Sequence, residues 1–347
     1  MKIAMISFTG NGRRLERSLA HELEKEGHQV LQAVKCKELE SDKDAVKCSA
    51  REWTGEQFRM RDVLIFIGAV QIAVRLIASF IGSKTTDPAV LVLDEKGQYC
   101  IPILSGHIGG ANEMAERIAE MAGALPVITT ATDIRGKWAI DVFARKNHLY
   151  IEDMQKAKQI SAKILEGKTV VAAIESGRDS IEGTVPEEVK IVPETYENPD
   201  IYIGIYERKL SSHVLRLIPQ RITVGIGCRR GISAEQIEQL VDKILKESHI
   251  NKKSIGRIAS IDLKKDEEGL LTFCNKYNIE PEFYPAEELK KVEGEFSVST
   301  FVKKVTGVDN VCERSAVYTG GTLRIRKQAE NGVTAAFAWD NWRVKFE

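Results

Sequence analysis

Apolar runs rich in β-branched residues alternate with helical patterns along most of this chain, and that alternation limits the fold more than any other feature. Lys2–Phe8 reads as a buried strand. Thr9-Gly10-Asn11-Gly12 then turns into a helix carrying Leu15, Leu19 and Leu23, which Gly27 stops. Gln29–Val34 and Val63–Ile67 read as further strands, and Gly68 opens a helix through about Ile81. Val90–Asp94 and Gln98–Leu104 flank Asp94-Glu95-Lys96-Gly97, a hairpin signal. A helix over Ala111–Ala122 places Met114, Ile118 and Ala122 on one face, and Pro126–Thr130 follows as a strand. Strands separated by helices in this way predict a mostly parallel, helix-covered sheet with one hairpin.

From about Tyr150 to Gln220 the pattern weakens. A helix near Met154–Glu166 and a strand at Thr169–Ile174 precede a stretch holding Pro186, Pro193 and Pro199, which reads as a small middle domain. A fresh α/β unit begins with the strand Arg221–Ile226. Ser233 and Gln236 form a capping box for a helix bearing Ile237, Leu240, Val241, Ile244 and Leu245. Ile258–Ile261 is the next strand, and Leu323–Lys327 and Val333–Phe337 flank an Asn331-Gly332 hairpin signal. The expected class is therefore α/β in three parts. These are an N-terminal mostly parallel helix-covered sheet over 1–149, a small middle α/β domain over 150–220, and a second α/β domain over 221–347.

Composition narrows the function. Lys+Arg and Asp+Glu are both 50 in 347 residues, so the net charge is zero and no long-range field draws in nucleic acid or an anionic membrane. An anionic ligand must be held by local arrangements of basic side chains and backbone N–H groups. The six cysteines are scattered without Cys-x-x-Cys or zinc-ligand spacing, and no 18-residue apolar run exists. A cytoplasmic location with reduced thiols is the expectation.

Five segments sit where strands meet loops or helices, positions at which ligands bind in open α/β sheets. In Leu104–Glu113 the adjacent Gly109 and Gly110, with Gly106, let the backbone approach a ligand closely. Ser105 and Asn112 offer neutral hydrogen bonds, and His107 can exchange a proton near neutral pH. The structural alternative is a turn in which Ser105 or Asn112 caps the helix. In Lys84-Thr85-Thr86-Asp87-Pro88, Lys84 could pair with a substrate carboxylate or stabilise oxyanion charge, and Asp87 could orient it or abstract a proton, against a plain polar turn before a strand. Thr130, Thr132 and Asp133 end the next predicted strand. Asp133 could fix the tautomer of His107, against a helix N-cap. Gly225-Ile226-Gly227-Cys228-Arg229-Arg230-Gly231 lacks dinucleotide spacing, but its paired arginines suit carboxylates, and Cys228 reads as a buried small residue rather than a nucleophile. Asp262-Leu263-Lys264-Lys265-Asp266 reads by itself as a solvated turn. Gly10-x-Gly12 lacks the Gly-Lys-Ser/Thr of a phosphate loop.

Taken together these segments resemble the cobalt-precorrin-5A hydrolase family of anaerobic cobalamin biosynthesis. In the first half the resemblance rests on Ala73-Val74-Arg75-Leu76-Ile77-Ala78, Lys84–Val90, Leu104–Glu113 and Pro126–Asp133. In the second it rests on Gly225–Gly231, Ala259–Asp266 and Thr306-Gly307-Val308-Asp309-Asn310-Val311-Cys312-Glu313. It implies an enzyme that opens a δ-lactone on a cobalt-bound, ring-contracted tetrapyrrole and releases acetaldehyde. The cobalt arrives with the substrate, so no cofactor of the protein's own is expected. For that chemistry His107 is the candidate general base, Lys84 or the Gly109 and Gly110 amides are the candidate oxyanion donors, and His107 or Asp133 is the candidate later acid. Arg229, Arg230, Lys264 and Lys265 would grip peripheral carboxylates. Neighbouring cobalamin-pathway enzymes and a second copy of the chain are further candidate partners. The sequence also admits two rivals, a non-catalytic tetrapyrrole carrier and a nicotinamide-dependent oxidoreductase.

Overall fold

The computed structural model describes the chain apart from residues 84–85, 108, 131–135, 177–179, 301–303, 305 and 347. It divides into two compact units, Met1–Val142 and Phe143–Glu347.

The first unit carries β1 (Lys2–Ser7), α1 (Gly10–Lys25), β2 (Gln29–Val34), α2 (Ala50–Met60), β3 (Val63–Ile67), α3 (Val70–Ile77), β4 (Ala89–Leu93), β5 (Tyr99–Leu104), α4 (Ala111–Ala122) and β6 (Leu125–Pro126). Its six strands lie in the order β2-β1-β3-β4-β5-β6. The first four are mutually parallel; β5 runs against β4, and β6 pairs parallel with β5. Strand alternation sends Ile3 and Met5 of β1 to one face, where α1 contributes Leu19 and Leu23 and α4 contributes Met114 and Ile118. Ala4 and Ile6 face the other side, under Trp53 and Phe58 of α2 and Ala73 and Ile77 of α3. A sheet covered on both faces needs continuous apolar strands, and β1, β3 and β4 supply them.

The Asp94 carboxylate closes the β4–β5 hairpin, accepting from the amides of Lys96, Gln98 and Tyr99 at 2.9, 2.8 and 2.7 Å. Gly97 takes the left-handed conformation the turn needs, at φ 67°. The hairpin has a positional consequence. Because β5 runs backwards, its last residue, Leu104, pairs with Val90, at the amino end of the parallel strands.

The strand expected over Pro126–Thr130 is shorter, ending at Pro126. Leu125 donates to Gln98, just before β5, and Val127 to Cys100 of β5, both at 2.8 Å. The next rung of that parallel ladder would be donated by residue 102, which is proline and has no N–H.

Helix α5 (Ile140–Lys146) spans the division between the units. The second unit continues with β7 (Leu149–Ile151), α6 (Met154–Leu165), β8 (Val170–Ile174), β9 (Ile181–Gly183), β10 (Val189–Val192), β11 (Ile201–Ile203) and β12 (Leu215–Pro219). It then holds β13 (Ile222–Cys228), α7 (Ala234–Glu247), β14 (Ile255–Ile261), α8 (Glu268–Tyr277), β15 (Glu282–Tyr284), α9 (Ala286–Lys291), α10 (Cys312–Val317), β16 (Thr322–Glu330), β17 (Val333–Trp339) and β18 (Val344–Phe346). One five-stranded sheet has the order β10-β8-β11-β12-β7, and a second has the order β15-β14-β13-β17-β16.

These two sheets correspond to the sequence segments around 150–220 and 221–347, yet they belong to one compact unit. The Glu175 carboxylate accepts from Arg221 Nη2 at 2.5 Å and from the Ile205 amide at 2.7 Å. Asn251 donates to Glu207 at 2.6 Å, and β18 returns to pair with β9. The Pro219-Gln220-Arg221 junction is a direct strand-to-strand step rather than a linker.

Candidate functional site

In the first unit, three sequence segments converge because β5 runs backwards. The loop before β4, the loop after β5 and the segment after β6 all lie at the amino edge of the parallel strands. Ser105 Oγ donates to the Asp87 carbonyl at 3.0 Å, and Asn112 Nδ2 donates to Thr130 Oγ1 at 2.9 Å. The Asp87 carboxylate accepts from the amides of Gly82, at 3.0 Å, and Ser83, at 3.1 Å, so it shapes its own loop.

The glycines of the motif serve close approach. A Cβ on Gly109 would fall 2.4 Å from Ser105 Cβ, and one on Gly106 would fall 2.7 Å from Asn112 Oδ1. Gly110 is left-handed at φ 79°, and so is Ser105, at φ 56°. For a residue with a Cβ that conformation costs roughly 1–2 kcal/mol, and the bond to Asp87 helps to hold it.

The start of α4 is turned inward. The amides of Ala111 and Asn112 donate to the Ser105 and Gly106 carbonyls at 3.1 and 3.0 Å, and the Gly110 amide donates to the His107 carbonyl at 3.0 Å. The open helix N-terminus expected from the sequence is thus largely consumed by its own loop. Of the glycine pair, Gly109 is left as the candidate oxyanion donor.

His107 Nδ1 lies 3.3 Å from Asp141 Oδ2, with the two side chains 15% and 16% exposed. Burial pushes the Asp141 carboxyl up. The hydrogen bond and charge of His107, helped by the amides of Val142 and Asp141, outweigh that and hold it below the usual carboxylate range. A carboxylate on Nδ1–H selects the tautomer whose Nε2 carries the lone pair. Sequence reasoning assigned this orienting role to Asp133, which lies outside the described residues, as do Lys84 and Thr132. Asp141 was missed because it stands alone in Trp138-Ala139-Ile140-Asp141-Val142, with no glycine or polar cluster beside it.

The second unit holds a cavity of about 760 Å³, within the range of small-molecule sites. Arg229, Arg230 and Lys264 line it, whereas Lys265 is exposed and does not. Lys264 pairs with Glu267 at 3.3 Å, and Glu267 also accepts from the Gly231 amide at 2.7 Å. Burial pushes the Cys228 thiol up to about 11, with Lys264 pulling it down and Glu267 raising it, so it stays a protonated thiol at neutral pH.

Gly225 and Gly227 serve packing here. A Cβ on Gly225 would fall 1.9 Å from the Cys312 carbonyl oxygen of α10, and one on Gly227 2.6 Å from Thr334 Oγ1. The close approach of α10 at Gly225 and of β17 at Gly227 accounts for the glycines without a dinucleotide. The sequence also missed Thr306, Asn310, Lys327 and Thr334 as lining residues, because a strand lysine reads as ordinary surface.

Fold and sites define an α/β enzyme with a histidine–carboxylate pair on a glycine-rich loop and a cation-lined cavity. Family models match three successive stretches of the chain. The cobalamin synthesis G N-terminal model covers residues 52–133, the cobalamin biosynthesis central region 138–219, and the cobalamin synthesis G C-terminus 222–338. A cobalt-precorrin-5A hydrolase of Priestia megaterium is 34% identical over 299 residues, covering 82% of this chain and 79% of that protein. One of Salmonella typhimurium is 34% identical over 292 residues, covering 80% and 82%. A solved structure from Sulfolobus solfataricus, described as a cobalamin biosynthesis protein G homolog, aligns over 97% of both chains with a TM-score of 0.44 and 24% identity. On the sequence matches, the chain belongs to the cobalt-precorrin-5A hydrolase family.

Proposed function

We propose that this chain opens the δ-lactone of cobalt-precorrin-5A and releases acetaldehyde to give cobalt-precorrin-5B. The family relationship supports the substrate, and the His107–Asp141 pair is the observation that carries the chemistry. Hydrolysis of a lactone needs a base for water and a donor for the tetrahedral oxyanion. His107 Nε2 takes the proton from water while Asp141 stabilises the imidazolium. The Gly109 amide, with Lys84, receives the oxyanion. Ring opening yields a carboxylate and an alcohol. Loss of the alcohol proton forms the aldehyde C=O, the adjacent carbon–carbon bond breaks, and its electron pair passes into the conjugated macrocycle. Protonation of the macrocycle by imidazolium or by Asp133 completes the balance.

Arg229, Arg230 and Lys264 receive peripheral carboxylates of the tetrapyrrole. Lys265 does not line the cavity and has no part in that role. The cobalt belongs to the substrate, so the proposal gives the protein no metal of its own. It is placed in the cytoplasm, and no helix among the described residues is long and apolar enough to cross a membrane.

Anaerobic incubation with cobalt-precorrin-5A tests the reading. Acetaldehyde in multiple equivalents per protein is expected. The cavity alone would equally suit a carrier, so tight binding without acetaldehyde would establish that second reading instead.

A further inference from the structure

The cavity of the second unit contains more charge than substrate positioning from the sequence motifs calls for. Its charged lining residues are Arg229, Arg230, Lys264 and Lys327, with Glu330 as the one acid. Glu330 is already paired, to Lys243 at 2.7 Å, and Glu267 neutralises Lys264. Among the described residues no acid pairs with Arg229, Arg230 or Lys327. The rest of the lining includes Ile261, Leu263, Val311, Ala329 and Val333. Cations without partners around apolar walls suit a ligand with an apolar body and a carboxylate rim.

Lys327 is aimed by the backbone. In an undisturbed strand Leu323, Ile325 and Lys327 would share one face. They do not: Leu323 packs with Cys312 and Ala316 of α10, while Ile325 packs against the opposite core, with Ile237 and Phe337. The register of β16 on β17 slips between Leu323 and Ile325, and again between Ile325 and Gln328. Such bulges redirect side chains. The second one brings Lys327 to the cavity beside Cys312.

The Lys327 amide donates to Glu313 Oε1 at 2.8 Å. Glu313 is fully buried, and also accepts from Ser297 N, Ser297 Oγ and Asn310 Nδ2, at 2.7, 2.9 and 2.9 Å. Asn310 Oδ1 in turn accepts the Glu313 amide at 2.8 Å. One buried carboxylate therefore ties together the bulge at Lys327 and Asn310 before α10, both of which line the cavity.

We propose that this cavity is a tetrapyrrole-polycarboxylate site in its own right, with Lys327 as a direct carboxylate ligand and Glu313 as its positioning residue. It reads the macrocycle and its rim, not the lactone, so it holds substrate and product alike. The proposal rests on the hydrolase reading only for the tetrapyrrole class of the ligand.

The test uses the full chain with uroporphyrin, a carboxylate-rimmed macrocycle that carries neither cobalt nor a lactone. Binding, followed by the shift of the Soret band, is expected at low salt and weakens as salt rises. Lys327→Ala and Arg229→Ala should each raise Kd about 10-fold, and Lys327→Glu about 100-fold. Glu313→Gln should weaken binding in the parent but add nothing in a Lys327→Ala background, which a merely structural role would not produce. His107→Ala should lower acetaldehyde release at least about 100-fold and retain uroporphyrin binding, which separates this site from the hydrolytic one. Equal binding by the Lys327→Glu variant, or equal binding of a cationic porphyrin by the parent, would overturn the proposal.

Discussion

Replacing Asp141 by Asn probes the chemistry more sharply than deleting His107, because the side chain keeps its shape and loses only its charge. In the proposed mechanism the carboxylate stabilises the imidazolium that forms as His107 takes a proton from water. With 3.3 Å between Nδ1 and Oδ2, two unit charges attract by about 5 kcal/mol at an effective dielectric of 20 and about 1.3 kcal/mol in bulk water. At 15% and 16% exposure the pair lies between these limits. The expected loss in kcat is on the order of 100-fold, equivalent to about 2.7 kcal/mol. KM should stay within a few-fold, because Asp141 contributes to the transition state rather than to substrate binding.

Anaerobic acetaldehyde release, read through coupled reduction of the aldehyde, supplies the assay. A pH series adds a second readout. Without the carboxylate the imidazolium is less favoured, so the acid limb of the kcat profile should move to lower pH in Asp141→Asn. Should Asp141→Asn retain parental kcat and an unmoved acid limb while His107→Ala is inactive, the proposed imidazolium partnership is refuted. Asp141 would then merely support the loop.

Three further outcomes follow from the same geometry. His107→Ala should lower turnover at least about 100-fold, and a near-normal rate would reassign the proton transfer. Gly109→Ala should lose activity and melt earlier, since its Cβ would collide with Ser105 Cβ at 2.4 Å; unchanged melting and turnover would mean the loop opens freely there. Asp141 has a depressed carboxyl, so its stabilising effect is present above the ordinary range near 3.9 and is lost as pH falls through the lowered value. Urea unfolding should therefore find Asp141→Asn weaker than the parent at neutral pH, with the gap closing below about pH 4; a gap that persists into acid would deny the ion pair.

The strand–helix alternation was legible because β1, β3 and β4 are buried on both faces, which leaves uninterrupted apolar runs in the sequence. The third sheet was legible for a related reason, since the Ser233–Gln236 capping box marks the start of α7. The middle sheet was harder to see. β11 is three residues long and β12 ends in Pro219, so neither provides enough alternation to count. Asp141 and Lys327 were invisible for different reasons. Asp141 reaches His107 across 34 residues of chain, and no local pattern reports a tertiary ion pair. Lys327 enters the cavity only because β16 is bulged, and a bulge reverses the parity by which strand residues are assigned to faces.

The position of the proposed hydrolytic site follows from the same kind of local detail. In an open parallel sheet the carboxyl edge is the usual ligand-binding edge, where helix N-termini and glycine turns converge. Here that edge carries the Gly10–Gly12 turn, where a Cβ on Gly12 would fall 3.1 Å from Ile67 Cγ2 and so packs α1 closely on β3. The hairpin at Asp94–Gly97 reverses β5 and delivers Ser105–Asn112 to the opposite edge, beside Asp87. A reversed strand also supplies a helix whose first amides fold back onto the loop, at Ser105, Gly106 and His107. The loop gives up generic anion binding at its helix start, and the same folding back holds His107 in place beside Asp141. A site that must move protons on a lactone needs a fixed imidazole more than another anion hole, and a carboxylate-rimmed substrate can be gripped elsewhere in the chain.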